Sequence, residues 1–162
     1  MRAILHGSLF VLVALVCIPA TSQAAARSAY SASTEGQVVA LLNDIRHERG
    51  LSTLTASTAL RDAARSHSSD MLRNGYFGHD SPHEAFDQRI RRYLKSPLVA
   101  ENIAWGTGKY GTAESIVDLW MHSAPHRHVI LMANMRQVGL GIATGSFKGA
   151  RGAFMTTADF SA

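Results

Sequence analysis

The last quarter of the chain differs in pattern from everything before it, and this switch limits the folds that the chain can adopt. The segments QVGLGIATG (137–145) and GAFMTTADF (152–160) are rich in glycine and β-branched residues, and SFKGARG lies between them. Two such runs around a glycine-containing turn predict an antiparallel hairpin. The preceding segments have helical periodicity instead. Helices first and strands last predict an α+β fold, with helices packed on a small antiparallel sheet.

Five segments ahead of the hairpin carry helical spacing or helix-start signals. Apolar residues recur there every three or four positions, and Ser33 or Thr34, Thr112 and Gly75 are typical of helix ends. In the fourth helix we expect Leu119 to be buried together with Trp120. Residues 96–111 are predicted to be extended or looped. The predicted helices span residues 33–50, 57–75, 83–94, 113–123 and 125–132.

The N-terminus has the three parts of a secretory signal peptide. Arg2 is followed by the apolar run LFVLVALVCIPA and then by the small residues of TSQAAARS. We therefore predict a signal peptide over residues 1–24, a leader over 25–34 and one domain over 35–162. The apolar run is shorter than the roughly 20 residues of a membrane-spanning helix, so we expect no transmembrane span after cleavage. The protein is expected in the periplasm or in the medium.

Cysteine content and charge limit the disulfides that the chain can form and the classes of partner that it can bind. Cys17 is the sole cysteine and lies within the predicted signal peptide, so the mature chain forms no internal disulfide. The formal net charge of +4 favours weak attraction to anionic surfaces such as cell wall or lipid head groups. Basic residues are not interleaved with aromatic ones, which argues against nucleic acid as a partner. The densest basic cluster, RIRRY (89–93), is expected on the solvent face of a helix. We expect a monomer.

The stretch HSAPHRHVIL places three histidines, His122, His126 and His128, close together. Histidine titrates near neutral pH and is a common metal ligand, so such a cluster needs partners elsewhere in the chain. The candidates are His79 in FGHDSP and Glu101 in AENIAWG. Two imidazoles and a carboxylate suit a Zn²⁺ ion with an open position for water. They equally suit a metal-free acid–base pair in which the carboxylate fixes a histidine tautomer.

The remaining histidines have plainer interpretations. His67 lies on the apolar side of the second helix and is expected to be a hydrogen-bonded core residue. His47 and His83 are expected at the surface. The segment HEAFD begins like the zinc-protease motif H-E-x-x-H but lacks its second histidine. His128 either adds a metal ligand or points into solvent.

Five motifs in this order resemble the CAP superfamily, also called SCP/PR-1-like domains, and most closely its bacterial secreted branch, which lacks disulfides. The resemblance covers about Val38 to Phe160. It depends on the segments LLNDIRHERGL, HSSDMLRNGYFGHDSP, AENIAWG, IVDLWMHSAPHRHVIL and QVGLGIA.

This resemblance implies a three-layer α-β-α sandwich and a cleft that holds two histidines and one or two carboxylates, often with a divalent metal. The histidine of the first loop corresponds to His79, the glutamate of the EN pair to Glu101, and the second histidine to His126. His79 and His126 would hold zinc or another divalent metal. The second acid corresponds best to Asp87, with Glu84 as the other candidate.

Two further residues belong to the expected site. Asn102 is expected to order the segment that presents Glu101, and Trp105 to form core or cleft wall. The chain departs from the family pattern at Pro125, where relatives usually carry glycine, and at His128 and Val129, where they usually carry small or amide residues.

Three classes of function remain open from the sequence. The first is a binding module for a small ligand, such as a lipid, a glycan, a peptide or a cell-wall component, and the resemblance favours it. The second is a hydrolase in which the metal or a histidine activates water. Ser81 and Ser123 lie near the histidines, but no G-x-S-x-G elbow accompanies them. The third is an envelope interaction protein whose polar cluster stabilises the fold.

Overall fold

The computed structural model describes the chain over residues 20–162, and its side chains from Thr34 onward. It confirms the predicted α+β class, with the helices ahead of the long hairpin. Most of the predicted signal peptide lies outside the described residues, and the domain boundaries stay predictions. The elements are α1 Ala20–His47, β1 Thr55–Ala56, α2 Thr58–Asn74, α3 Phe86–Arg91, β2 Val99–Thr107, a 3₁₀ turn Gly108–Gly111, α4 Ala113–His122, α5 Ala124–Ile130, β3 Gln137–Phe147 and β4 Ala150–Ser161.

The sheet has four strands in the order β1-β3-β4-β2. The β3–β4 hairpin is antiparallel as predicted, and β2 pairs antiparallel to β4. The short strand β1 makes the sheet mixed, because it runs parallel to β3. Two backbone hydrogen bonds hold β1 there, from Thr55 N to Arg136 O (2.8 Å) and from Ser57 N to Val138 O (2.9 Å). The residues between the first two predicted helices therefore include an edge strand.

Helices cover both faces of the sheet, which confirms the three-layer α-β-α sandwich. Alternate residues of β4 face opposite sides, as strand geometry requires. Phe160 belongs to the main core with Leu42 of α1 and Trp120 of α4, whereas Met155 packs with Met71 of α2. Helix α2 thus lies on one face, and α1 and α4 lie on the other.

Two helices have bounds that differ from the prediction. Helix α1 begins at Ala20, upstream of the expected cap at Ser33 or Thr34. Helix α3 begins only at Phe86, because its amide donates to the Asp80 carboxylate (2.8 Å) and the preceding residues form a turn. No helix in residues 20–162 is both long enough and apolar enough to cross a membrane.

Leu119 was expected in the core and is instead 52% exposed. Helix α4 buries Ile116, Val117 and Trp120, so Val117 takes the place on the buried stripe that was predicted for Leu119. The cap at Thr112 is confirmed, since its hydroxyl accepts from Ser115 N. The helical period was correct, and only the choice between adjacent apolar residues was wrong.

Candidate functional site

Glu101 lies at the centre of a buried polar cluster on the α2 side of the sheet. It lies in the segment predicted to be extended or looped, which forms strand β2, and it pairs with Asp159 of β4. Its Oε1 accepts a hydrogen bond from His79 Nδ1 at 2.7 Å, and its Oε2 accepts one from Arg89. His67 Nε2 lies 3.8 Å from Oε2. We call His79, Arg89, Glu101 and Asp159 the His79 cluster.

Arg89 is the member that the sequence reasoning missed. It was placed with RIRRY on the solvent face of a helix, and this was wrong, since Arg89 is only 4% exposed. Its guanidinium donates to the His79 carbonyl at 3.0 Å and to Glu101, and it lies 3.5 Å from Asp159 Oδ1. One side chain therefore joins the loop before α3 to strands β2 and β4.

The second acid of the cluster is Asp159. The two residues expected in that role form ion pairs elsewhere, Asp87 with Arg91 (3.5 Å) and Glu84 with Arg92 (2.8 Å). Within residues 34–162, no hydrogen bond or ion pair joins either of them to His79 or Glu101. Asp159 reaches the site because it lies directly across from Glu101 in the sheet.

Burial and the neighbouring charges shift protonation in the cluster. The pKa of Asp159 is raised well above its usual value, first by burial and then by the negative charge of Glu101. Arg89 acts in the opposite direction and lowers that pKa, but burial outweighs it. The pKa of His79 is raised, chiefly by its hydrogen bond to Glu101 and against the effect of burial.

His126 lies on α5, and a hydrogen bond from the Asn102 side chain fixes its backbone. The side chain of Asn102 is fully buried, and its Nδ2 donates to the backbone carbonyl of His126 at 3.0 Å. Burial lowers the pKa of His126, and the nearby charge of His79 lowers it further. The two imidazoles therefore interact electrostatically, and His126 is neutral at neutral pH. The prediction for Asn102 changes accordingly, since it orders the helix that carries His126.

The other two histidines of HSAPHRHVIL point elsewhere. His122 is exposed, and its Nδ1 lies 3.1 Å from the Asp118 carboxylate. His128 is exposed as well, the second of its two predicted outcomes. Across the described residues, no group of three or more His, Cys, Asp or Glu side chains is arranged to hold a metal ion.

His67 is confirmed as a core histidine with a hydrogen bond. It is 1% exposed, and its Nε2 donates to the Gly78 carbonyl at 2.9 Å. This bond ties the loop immediately before His79 to helix α2. Trp105 packs edge-on against Phe147 with ring centroids 5.0 Å apart. It therefore belongs to the apolar residues that pack with Met71 and Met155 on the α2 side of the sheet.

We expect the protein to lose stability as the pH falls below about 6.5, the value of an unfolded histidine. Burial lowers the pKa of His67, so the unfolded state binds a proton that the folded state does not. His126 contributes with the same sign. His79 contributes with the opposite sign, because its pKa is raised in the folded state. Its stabilisation of the fold is fully present below about pH 6.5 and is lost as the pH rises through the raised pKa.

The measurement is urea unfolding from about pH 7 to about pH 5 in wild type and in His67→Asn. The loss of unfolding free energy on acidification should be smaller in His67→Asn than in wild type. The variant His47→Asn changes an exposed histidine and should keep the wild-type slope. Equal slopes in all three proteins would contradict the assignment of His67 as a buried neutral histidine.

Fold and site together define a three-layer α+β domain with a histidine–carboxylate cluster on one edge strand of its sheet. The family model for the cysteine-rich secretory protein family, CAP, matches residues 39–160. The chain belongs to this family.

Two curated relatives come from Bacillus subtilis (strain 168). The protein YkwD is 37% identical over 123 residues, which cover 75% of this chain and 45% of the relative. The membrane protein YlbC is 30% identical over 112 residues, which cover 68% of this chain and 32% of the relative. The chain thus spans less than half the length of these relatives.

Two solved structures have the same fold. An extracellular protein containing a SCP domain from Bacillus anthracis str. Ames superposes with a TM-score of 0.71 at 26% identity, covering 83% of this chain and 42% of that one. An outer surface protein from Borrelia burgdorferi gives a TM-score of 0.66 at 18% identity, covering 76% of this chain and 88% of that one. At that identity, the second comparison shows the fold alone.

Proposed function

We propose that this chain is an extracytoplasmic CAP protein in which His79 and His126 line a cleft that binds a divalent metal, zinc or another, together with a small ligand. The observation that carries the proposal is the hydrogen bond from His79 Nδ1 to Glu101. A histidine that donates one ring nitrogen to a carboxylate presents the other as a metal ligand, in a fixed tautomer and orientation.

The residues fit a site with two protein ligands. His126 is neutral at neutral pH, as a ligand must be. The pKa of His79 is raised, so a metal ion would have to displace a proton from its side chain, which is 53% exposed. Glu101 is not available as a ligand, because both of its oxygens accept hydrogen bonds within the cluster. A bound divalent ion would act there as a Lewis acid, and the small ligand or water would complete its coordination.

The ligand is proposed to be a lipid, a glycan or a peptide outside the cytoplasm. The predicted signal peptide supports export. The names of two structural relatives, an extracellular protein and an outer surface protein, point in the same direction.

Zinc titration by calorimetry tests this proposal. We expect binding to wild type and a loss of affinity of about 100-fold or more in the double variant His79→Ala/His126→Ala, since removing only the hydrogen-bond partner of a ligand already costs about 10–100-fold. The matched control, His122→Ala/His128→Ala, removes two exposed histidines of the same stretch and should bind like wild type. Circular dichroism establishes that all three proteins are folded. Absence of zinc binding in wild type would refute the metal site.

Hydrolysis is the second candidate, because an imidazole paired with a carboxylate is also a general acid–base unit. The hydroxyl groups nearby do not support a serine nucleophile. Ser81 Oγ accepts from the His83 amide at 3.2 Å, and in residues 34–162 neither Ser81 nor Ser123 hydrogen-bonds to His79 or His126. The structure therefore supports a binding function better than a hydrolytic one.

A further inference from the structure

Strand β2 runs between the two histidines of the proposed site. Successive side chains of a strand point to opposite faces of the sheet. Glu101 lies on the α2 face, where it accepts the hydrogen bond from His79 at 2.7 Å. Asn102 lies on the opposite face, where it donates to the backbone carbonyl of His126 at 3.0 Å. The outer edge of β2, which faces away from β4, therefore lies between His79 and the part of α5 that carries His126.

The direction of the main-chain groups along β2 follows from its pairing with β4. Strand β2 is the last in the order β1-β3-β4-β2, so β4 lies on one side of it and its other side is an edge. The Leu98 carbonyl accepts from the Ala162 amide at 3.2 Å and thus points toward β4. Main-chain groups alternate between the two sides along a strand, and the β2–β4 register is regular. The N–H and C=O groups of Val99 and Glu101 therefore point outward.

The outward main-chain groups of Val99 and Glu101 are open to a ligand, whereas the next outward carbonyl is occupied. That carbonyl belongs to Ile103 and accepts from Trp120 Nε1 of α4 at 3.2 Å. Within residues 34–162, no hydrogen bond reaches the main-chain N–H or C=O of Val99 or Glu101. Glu101 is 7% exposed as a whole residue, although its side chain is only 1% exposed. Its accessible surface is therefore mainly main chain.

We propose that the ligand of this cleft is an extended peptide, which adds to the outer edge of β2 beside Val99 and Glu101. The inference rests on the cleft of the proposed function and selects one of its three ligand classes. A peptide backbone repeats an N–H and a C=O along its length, so it can pair with both residues at once. A lipid tail has no such groups, and a glycan lacks their regular alternation.

The edge of β2 sets the length and orientation of the bound peptide. Pairing with two outward residues gives about four main-chain hydrogen bonds. The pairing ends toward Ile103, because the Trp120 side chain occupies that carbonyl. The side chains of the peptide alternate between the His79 side and the His126 side of the sheet, as in any strand. Main-chain pairing then supplies the affinity, and contacts on these two sides supply the selectivity.

The probe is the blocked peptide acetyl-Val-Thr-Val-Thr-amide, and its control is the same peptide with every amide nitrogen methylated. Each is titrated into the purified protein with and without zinc, while the backbone amide resonances are followed by NMR. We expect the first peptide to shift the amide resonances of Val99 and Glu101. The methylated peptide should bind at least about tenfold more weakly, because it donates no hydrogen bond.

The substitution Val99→Pro tests the edge of the strand itself. Proline removes the outward N–H without removing a bond to β4, since Val99 is the first residue of an edge strand. This variant should bind the peptide about tenfold more weakly than wild type. The matched control Val99→Thr keeps the main chain and the branched side chain, so it should bind like wild type. Circular dichroism establishes that both variants are folded. If Val99→Pro does not fold, the methylated peptide and the positions of the shifted amides decide.

The outcomes separate this inference from the proposed metal site. If wild type binds zinc but not the peptide, the peptide pairing is wrong and the metal site is retained. If wild type binds the peptide but not zinc, the metal site is wrong and the peptide pairing is retained. Equal binding of the two peptides, or shifts that omit Val99 and Glu101, would overturn pairing at β2. Decanoate and chitotriose are titrated in parallel, and a shift of the same amides by one of these alone would assign the cleft to a lipid or a glycan.

Discussion

Replacing Arg46 with methionine should lower the free energy of unfolding by about 3–5 kcal/mol, because each buried acceptor left without a donor costs about 1–3 kcal/mol. That is a large part of the roughly 5–15 kcal/mol that stabilises a typical domain. Arg46 is 0% exposed although it is an arginine. Its guanidinium donates to four backbone carbonyls, those of Ser52 (2.8 Å), Ile130 (2.7 Å), Met132 (3.0 Å) and Met135 (3.2 Å).

The cost arises from the carbonyl groups that are left behind. Methionine fills much of the volume of arginine but donates no hydrogen bond. Four acceptors would lose their donor, and two of them, the Ile130 and Met135 carbonyls, are in buried surroundings. Lysine keeps the charge without the planar fork, so Arg46→Lys should fall between wild type and Arg46→Met. Arg49→Met is the matched control, because Arg49 is exposed just after the end of α1, where its side chain donates to the Ile45 carbonyl and lies 3.7 Å from the Glu48 carboxylate.

Urea unfolding of the four proteins measures these differences. A loss of less than about 1 kcal/mol in Arg46→Met would mean that the four hydrogen bonds contribute little net stability. The bonds to Ile130 and Met132 also fix the end of α5, the helix that carries His126. We therefore expect the zinc affinity of Arg46→Lys to fall as well, whereas that of Arg49→Met should not change.

The sequence predicted the elements better than the site. Local periodicity was sufficient for α2, α4, α5 and the β3–β4 hairpin, because apolar spacing and cap residues are properties of neighbouring residues. It was not sufficient for β1, whose two residues are held by backbone bonds to residues about 80 positions later in the chain. It also could not decide between Leu119 and its neighbours, because a 3.6-residue period does not fix which apolar residue begins the stripe.

The motifs identified His79, Glu101 and His126 as candidate site residues. The charges around these residues depend on contacts with residues that are distant in the sequence. Asp159 lies opposite Glu101 only because β2 and β4 pair in one particular register. Its one sequence signal was weak, a single acid in an otherwise uncharged stretch of β4. Arg89 had no signal of its own, because one basic residue among several is expected in water and is buried only where polar partners from distant parts of the chain surround it.

The second large effect concerns the contact between α2 and the sheet. Gly139 and Gly141 of β3 face α2 so closely that a methyl group has no room. A Cβ atom added at Gly141 would lie 2.1 Å from Arg65 N, and one at Gly139 would lie 2.0 Å from Arg61 N. The obstacle is backbone in both cases, so no side chain can rotate away. The helix itself would have to move.

Gly141→Ala should therefore cost about 3 kcal/mol, the upper end of what overpacking usually costs. The displacement would also stretch the hydrogen bonds from Ser68 Oγ to Gly141 O (2.8 Å) and to Thr157 Oγ1 (2.9 Å), which join α2 to the two central strands. Gly145→Ala is the control on the same strand, because its added methyl group would meet only a Leu72 side-chain atom at 3.5 Å. That change should stay within about 0.5 kcal/mol of wild type.

Urea unfolding gives the stability difference, and the His79 resonance in NMR shows whether the damage reaches the site. Helix α2 carries His67, which holds the Gly78 carbonyl one residue before His79. A shift of α2 away from β3 should therefore alter the His79 environment in Gly141→Ala and leave it unchanged in Gly145→Ala. Equal stability of the two variants would mean that α2 can move without cost, and it would then cease to be the rigid support of the His79 cluster.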